Sequence, residues 1–227
     1  MLLPRFADRR AAGRALAGRL RELAGTGVLR DAVVLGLPRG GVVVATEVAL
    51  ALGAPLDVLP VRKLGLPGHP ELAMGAIAAG GIRVLNEDIV AGLHIGSEAL
   101  DNEVAREQVG LEPRVARYRG ERPQPNLTNK RVIVVDDGIA TGATMRAAVA
   151  AVRRELPASI TVAVPVGSPR VRDDLAADVD RVVCLRSPAS FRAVGEAYRD
   201  FAATRDDEVL AALEVARLRG SRGPSAV

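Results

Sequence analysis

The chain has 227 residues and a formal net charge of +4, and aromatic residues make up only 2% of it. This length fits one large domain, or one domain with a small accessory lobe. Few aromatic side chains are available to stack on bases and the positive charge is modest, which disfavours a nucleic-acid-binding role. Because Cys184 is the only cysteine, the sequence also excludes a disulfide within the chain.

The N-terminal residues and the length of the apolar runs bear on where in the cell the protein is expected. The first ten residues lack the apolar core of a signal peptide. No uninterrupted apolar run is long enough to cross a bilayer. We therefore expect a cytoplasmic protein that does not bind membranes.

Apolar periodicity and the positions of glycine and proline predict helices and strands that alternate along the chain. The runs between them are mostly polar or contain Gly and Pro. The predicted strands are 32–37, 56–61, 82–85, 131–135, 160–166 and 181–185, and the predicted helices are 8–24, 42–52, 97–117, 145–156, one that begins at Pro169, and 206–218.

The predicted strands are continuous apolar runs, which are typical of strands buried on both faces. Strands of this kind that alternate with helices indicate an α/β fold, with a parallel Rossmann-like sheet and helices on both faces. We expect a small hood or lid region beside the sheet, and a single domain over residues 1–218 with a flexible loop at about 64–81 and a C-terminal accessory region at about 187–218. Residues 219–227 are expected to form a disordered tail.

The most informative stretch is Arg131–Met145. Five largely β-branched residues predict a buried strand, and two carboxylates, Asp136 and Asp137, follow where that strand should end. A loop of Gly, Ala and Thr then leads into a helix, whose first amides suit a phosphate. Ionised carboxylates only accept hydrogen bonds, so they should face hydroxyls or a metal ion. A ligand with a phosphate and a nearby diol, such as ribose 5-phosphate, fits both halves.

Two further features follow predicted strands directly. Arg39-Gly40-Gly41 follows the strand 32–37, and Arg62-Lys63 follows the strand 56–61. Ligands of parallel sheets bind at the carboxyl ends of the strands. We therefore expect both features to open on the same edge of the sheet as Asp136 and Asp137.

The segment Asp136–Thr144, read as DDGIATGAT, resembles the hallmark of the type I phosphoribosyltransferases: a strand, an acidic pair, a small-residue loop and a threonine-containing turn. Leu37-Pro38-Arg39-Gly40-Gly41 is similar to the pyrophosphate loop of that family. The resemblance extends over about residues 8–202. Among its members, bacterial phosphoribosyltransferase-domain proteins of unassigned substrate also show RKLG (62–65) and PELAMG (70–75).

The resemblance implies a phosphoribosyltransferase that uses Mg²⁺-bound phosphoribosyl pyrophosphate as donor to a nucleobase-like nitrogen base in nucleotide salvage. Asp136 and Asp137 would hold the ribose 2- and 3-hydroxyls, directly or through Mg²⁺ and water. Arg39 would hold pyrophosphate with the Gly40 and Gly41 amides, and Lys63 would add positive charge. The 5-phosphate would be bound by the loop made of Ala140, Thr141, Gly142, Ala143 and Thr144.

Several alternatives stay open. In the 6-oxopurine enzymes of that family an acid stands three residues after the second acidic residue, where this chain has Ala140. This difference disfavours hypoxanthine or guanine as the acceptor and does not establish adenine.

The same site could instead belong to a regulatory protein that senses phosphoribosyl pyrophosphate and binds RNA, DNA or a protein partner. We further expect a homodimer. A dinucleotide-binding dehydrogenase is disfavoured because no Gly-x-Gly-x-x-Gly follows the first strand.

Overall fold

A computed structural model describes residues 4–25, 27, 29, 31–66, 69–79 and 81–220, without the side chains of residues 69–73 and 220. Its central sheet has five strands, β1 (Ala32–Gly36), β2 (Leu56–Val58), β6 (Arg131–Val135), β7 (Ser159–Val166) and β8 (Arg181–Arg186). They lie in the order β2-β1-β6-β7-β8, and every neighbouring pair is parallel. The predicted parallel α/β fold is therefore confirmed.

Alternate residues of each central strand pack on opposite faces of the sheet. Val132 and Val134 of β6 belong to one apolar cluster, and Ile133 and Val135 belong to the other. The strands read as unbroken apolar runs for this reason, because both faces are covered. The helices of the domain are α1 (Arg9–Gly25), α2 (Gly40–Leu52), α3 (Glu87–Gly92), α4 (Ser97–Arg119), α5 (Ala143–Arg153), α6 (Pro169–Ala176) and α7 (Asp206–Gly220).

The helices divide between the two faces. Residues of α1 and α2 form one cluster with the sheet, and residues of α5 and α6 form the other. Helix α7 packs on α2 through Val209, Ala212 and Leu213. A single turn of 3₁₀ helix, Val194–Ala197, lies between β8 and α7. None of the helices among the described residues has the length and apolar character needed to cross a membrane.

The segment 64–81 differs from the long connection that we expected. Most of its described residues belong to a second, antiparallel sheet of three strands, β3 (Val61–Leu66), β4 (His69–Ala78) and β5 (Ile82–Leu85). Gly75 allows β4 to approach β5, since a Cβ atom there would lie 2.4 Å from the Val84 carbonyl oxygen. Glycine is uncommon within strands, so the glycines of this segment did not indicate a strand in the sequence. The flexibility that we expected for residues 64–81 stays a prediction.

The small sheet is fixed to α4 by apolar and polar contacts. Leu64 and Met74 pack against Leu100 and Leu111 of α4. The pairing of β3 with β4 is irregular at Gly65, and the Gly65 amide there donates to the buried Glu103 carboxylate. Among the described residues, no strand of this sheet pairs with a strand of the central sheet.

Three further differences separate the structure from the predicted elements. Strand β2 ends at Val58, so the predicted strand 56–61 is split between two sheets. Helix α3 was not predicted, and Asn86 caps it by accepting a hydrogen bond from the Ile89 amide. Helix α7 extends to Gly220, which takes two residues from the expected tail; residues 221–227 lie outside the described residues.

Candidate functional site

Two loops meet where the order of the central strands reverses, between β1 and β6. The first loop, residues 37–41, follows β1 and includes the first two residues of α2. The second loop, residues 138–144, follows the acidic pair and includes the first two residues of α5. The Leu37 amide donates to the Val135 carbonyl oxygen at 2.9 Å, so the first loop starts directly beside the end of β6. The Pro38–Arg39 peptide bond is cis. Parallel α/β sheets bind ligands in the crevice at this reversal point.

Two glycines of the first loop pack against the acidic pair. A Cβ atom on Gly40 would lie 1.9 Å from Asp137 Oδ2 and 2.6 Å from Arg9 Nε. A Cβ atom on Gly41 would lie 2.7 Å from Asp136 Oδ1. Any larger residue at either position would displace a carboxylate. The first loop and the acidic pair, which were predicted to share an edge of the sheet, are therefore in direct contact.

Asp136 and Asp137 share a half-buried environment. The Asp137 amide donates to Asp136 Oδ1 at 2.8 Å, which fixes the first carboxylate at the end of β6. Burial, followed by the negative charge of Asp137, raises the pKa of Asp136 well above its ordinary range. Burial also raises the pKa of Asp137, against the opposing hydrogen bond and charge of Arg9. Concentrated negative charge of this kind suits a ligand that brings hydroxyl donors or a cation.

Arg9, the first residue of α1, forms an ion pair with Asp137. Its Nε atom lies 2.7 Å from Asp137 Oδ2, and both side chains are about 15% exposed or less. Its Nη1 atom donates to the Ala202 carbonyl oxygen at 2.7 Å. The guanidinium carbon lies 3.9 Å from the centre of the Phe201 ring. The residue is thus held on three sides.

An aromatic stack supports this pair from the C-terminal region. Tyr198 lies between Phe6 and Phe201, with ring centres 5.7 and 4.9 Å away. Its hydroxyl donates to the Asp137 main-chain oxygen at 2.5 Å, and burial raises its pKa. Because Tyr198 is only 2% exposed, its ring is packed within the protein and does not present a face to a ligand.

The second loop is anchored at its base and open at its tip. The Ile139 amide donates to the Val166 carbonyl oxygen, and the Ile139 carbonyl oxygen accepts from the Ser168 amide. Ala140, Thr141 and Thr144 are exposed. Gly142 has a φ of +78° and stands before the first turn of α5 without a side-chain cap. The first amides of α5 therefore lack a capping side chain, which is the arrangement that binds anions at helix N-termini.

Arg39 and Lys63, the two other basic residues predicted for the site, lie on different elements of the structure. Arg39 is exposed at the start of α2, and its charge acts on Tyr118 and Asp206, where α4 meets α7. We had expected Lys63 to follow a strand of the central sheet. It lies instead within β3, paired in register with Ala76. Strand alternation places Lys63 on the same face as Val61, which packs against the cluster that contains Met145 of α5. Its neighbour Arg62 is on the other face, where it forms an ion pair with Glu107.

Arg9, Tyr198 and Phe201 are the contributors that the sequence did not indicate. Arg9 is one of several arginines in α1, and 128 positions separate it from Asp137. Nothing in the local pattern distinguishes it from Arg10, whose side chain is 57% exposed. The clustering of Phe191, Tyr198 and Phe201 in the sequence is the only local signal for the two aromatic contributors.

The residues that the structure describes contain no group of three or more His, Cys, Asp or Glu side chains arranged to hold a metal ion. Mg²⁺ commonly binds proteins through one or two carboxylates and completes its shell with water and substrate phosphates. The pair Asp136 and Asp137 fits this incomplete type of donor set. It does not form a closed all-protein site.

Comparisons with known proteins show the family to which the chain belongs. Residues 7–200 match the family described as phosphoribosyl transferase domain. A candidate phosphoribosyl transferase of Mycobacterium tuberculosis, Rv0571c, is 50% identical over 209 residues, which is 92% of this chain and 46% of that protein. The chain thus spans about half the length of the curated relatives it matches. The crystal structure of TT1426 from Thermus thermophilus superposes with a TM-score of 0.83 at 47% identity, covering 92% of this chain and 97% of that one.

Proposed function

Because the chain belongs to the family of phosphoribosyl transferase domains, we propose that it is a pentosyltransferase acting on Mg²⁺-bound phosphoribosyl pyrophosphate. The acceptor would be a nitrogen base of the nucleobase class. The observation that carries the proposal is the contact between the first loop and the acidic pair. Gly40 and Gly41 lie against Asp137 and Asp136, so the proposed anion and diol sites would share one crevice.

The ribose would be held by the acidic pair. Carboxylates accept hydrogen bonds from hydroxyls, and a 2,3-diol offers two such donors side by side. Asp136 is oriented by the Asp137 amide, and Asp137 is oriented by Arg9. Both acids can therefore receive a ribose without rearrangement of their side chains.

The 5-phosphate would bind the second loop. The uncapped amides at the start of α5 supply hydrogen-bond donors and the positive end of the helix dipole. Thr141 and Thr144 are exposed beside them and would add hydroxyl donors. The residues assigned to this role are Ala140, Thr141, Gly142, Ala143 and Thr144.

Pyrophosphate would lie along the first loop. Arg39 is exposed there, and Gly40 and Gly41 lie against the acidic pair. Asp136 and Asp137 would hold Mg²⁺ directly or through water, and the ion, when bound, would supply positive charge for the leaving group. Lys63 would approach from β3 and add a second positive side chain.

The reaction follows from these placements. The acceptor nitrogen would form a bond to ribose C1 while the bond from C1 to the pyrophosphate oxygen breaks, and the pyrophosphate keeps the electron pair. Positive charge develops on the ribose, near the carboxylates, and negative charge develops on the leaving group, near Arg39. Groups fixed in advance where charge develops lower the barrier, by about 3 kcal/mol for one such contact.

The acceptor itself is proposed only by class. Ala140 is exposed in the second loop, and its side chain has no carboxylate. The proton transfer that a 6-oxopurine acceptor would need therefore has no carboxylate at this position, and we disfavour hypoxanthine and guanine. A homodimer and a cytoplasmic location stay predictions, and sedimentation velocity would test the former.

A screen for turnover tests the proposal directly. Radiolabelled phosphoribosyl pyrophosphate with Mg²⁺ would be offered with purines, pyrimidines and nicotinate, and both pyrophosphate release and labelled nucleotide would be measured. Base-dependent formation of a labelled nucleotide would support the transferase. Tight binding of phosphoribosyl pyrophosphate with no turnover on any base would favour the regulatory alternative, which retention of RNA on a filter would then examine.

A further inference from the structure

Asp137 is held from two directions by parts of the chain outside both loops. Its carboxylate accepts from Arg9 at 2.7 Å, and its main-chain oxygen accepts from the Tyr198 hydroxyl at 2.5 Å. Arg9 is at the start of α1, and Tyr198 follows the 3₁₀ turn near the other end of the domain. The N-terminal segment and the C-terminal region therefore converge on one residue of the proposed ribose site.

The two supporting segments are also joined to each other. The Phe6 amide donates to the Ala197 carbonyl oxygen, and the Arg199 amide donates to the Phe6 carbonyl oxygen, both at 2.8 Å. Tyr198 stacks between Phe6 and Phe201. These contacts form one unit, which fixes where the Arg9 guanidinium can lie.

The Arg9 guanidinium has little freedom within this unit. One nitrogen donates to Asp137, another donates to the Ala202 carbonyl oxygen, and its flat face covers the Phe201 ring. Arginine can make all three contacts at once because its donors are spread over a rigid plane. Lysine offers the same charge without that plane.

The Arg9 contact occupies only one oxygen of Asp137. Oδ2 accepts from Arg9 and lies against Gly40, and the ion pair with Arg9 does not involve Oδ1. A carboxylate held in this way has one oxygen committed and one available to a ligand hydroxyl. Its rotation about the side chain is prevented before the ligand arrives, which lowers the entropy cost of binding.

We propose that Arg9 is a positioning residue that holds the Asp137 carboxylate ready to accept a ribose hydroxyl. The inference rests on the proposed function, because it assumes that Asp137 receives the ribose. It assigns a role in ligand binding to the N-terminal helix, which carries neither loop. Arg9 acts through Asp137 and needs no contact with the ligand.

Calorimetric titration of ribose 5-phosphate and of pyrophosphate into wild type, R9Q, R9K and R10Q tests this role. R9Q should weaken binding of ribose 5-phosphate by on the order of tenfold to a hundredfold, as loss of a residue that orients a ligand-binding carboxylate does. Pyrophosphate binding should stay within about twofold of wild type and so reports an intact first loop. R9K should recover part of the loss. R10Q, a change to the neighbouring exposed arginine, should match wild type.

The sugar hydroxyls distinguish positioning from a merely structural role. With 2-deoxyribose 5-phosphate and 3-deoxyribose 5-phosphate as probes, the R9Q penalty should shrink for at least one of the two, because the hydroxyl served by Asp137 is then missing. An equal penalty for all three sugars, or an equal loss for pyrophosphate, would overturn the proposal. So would full affinity of R9Q for ribose 5-phosphate. If wild type binds neither ribose 5-phosphate nor phosphoribosyl pyrophosphate, the proposed function itself fails.

Discussion

The two loops at the strand reversal use glycine in opposite ways. In the first loop, Gly40 and Gly41 have no space around them, because the acidic pair fills it. In the second loop, Gly142 supplies a positive φ that starts α5 with its amides uncovered, and the threonines beside it are exposed. The first loop is therefore defined by its packing against another part of the site. The second depends on its backbone conformation at Gly142, which packs against Val171 outside the site.

This difference predicts how substitutions should separate the two halves of the ligand. Changes to the first loop should disturb Asp137 and Arg9 as well as the loop itself, so they should affect ribose and pyrophosphate together. Changes to the second loop should affect only the 5-phosphate end. Ribose 5-phosphate and pyrophosphate, titrated separately, report the two effects.

G40A should have the largest effect. Its Cβ atom would lie 1.9 Å from Asp137 Oδ2 and 2.6 Å from Arg9 Nε, so the ion pair must move. A misplacement of about 1 Å in a preorganised site can cost on the order of a hundredfold, and we expect at least that loss for phosphoribosyl pyrophosphate by calorimetry. G18A makes the same change where a Cβ atom meets nothing within 4 Å, and should bind normally. Near-normal binding by G40A would contradict the packing account.

G142A should have the next largest effect, and that effect should be confined to binding of the 5-phosphate. The φ of +78° costs a non-glycine residue about 1–3 kcal/mol, and the new Cβ atom would lie 2.5 Å from Val171 Cγ1. We expect ribose 5-phosphate to bind more than tenfold more weakly while pyrophosphate binding is kept. G53A is a matched control, since Gly53 also has a positive φ but open space around it. A loss of pyrophosphate affinity in G142A would show that the loops are not independent.

T144V should have the smallest effect of the three. It removes one hydroxyl donor at an exposed position and keeps the shape of the side chain. A hydrogen bond to a charged group contributes about 1.5 kcal/mol at the lower end, which corresponds to roughly tenfold in affinity for ribose 5-phosphate. Thermal unfolding should not change. T128V, at another exposed threonine, should leave affinity unaltered; wild-type affinity in T144V would remove Thr144 from the phosphate site.

The parts of the molecule that could be predicted are those whose signal is local. The strand Arg131–Val135, the acidic pair and the loop after it are contiguous in sequence, so composition and order were enough to find them. The first loop could be placed beside them because parallel strands end on one edge of a sheet. Gly40 and Gly41 were expected to serve the anion, whereas their nearest neighbours in the structure are the two acids.

The parts that could not be predicted depend on contacts between distant residues. Arg9 reaches Asp137 across 128 positions, and the aromatic stack that fixes it joins Phe6 to Tyr198. The hairpin of β3 and β4 was missed for a different reason. Its glycines and prolines suggested a loop, while its stability comes from packing on α4 and from the Glu103 carboxylate at Gly65, which no local pattern reveals.

The central claim is that the acidic pair receives the ribose of phosphoribosyl pyrophosphate. The most direct measurement is calorimetric titration of phosphoribosyl pyrophosphate with Mg²⁺ into wild type and D137N, with D174N on the exposed face of α6 as control and thermal unfolding to establish folding. The account predicts that wild type and D174N bind alike and that folded D137N loses binding. Unchanged affinity in D137N would contradict it.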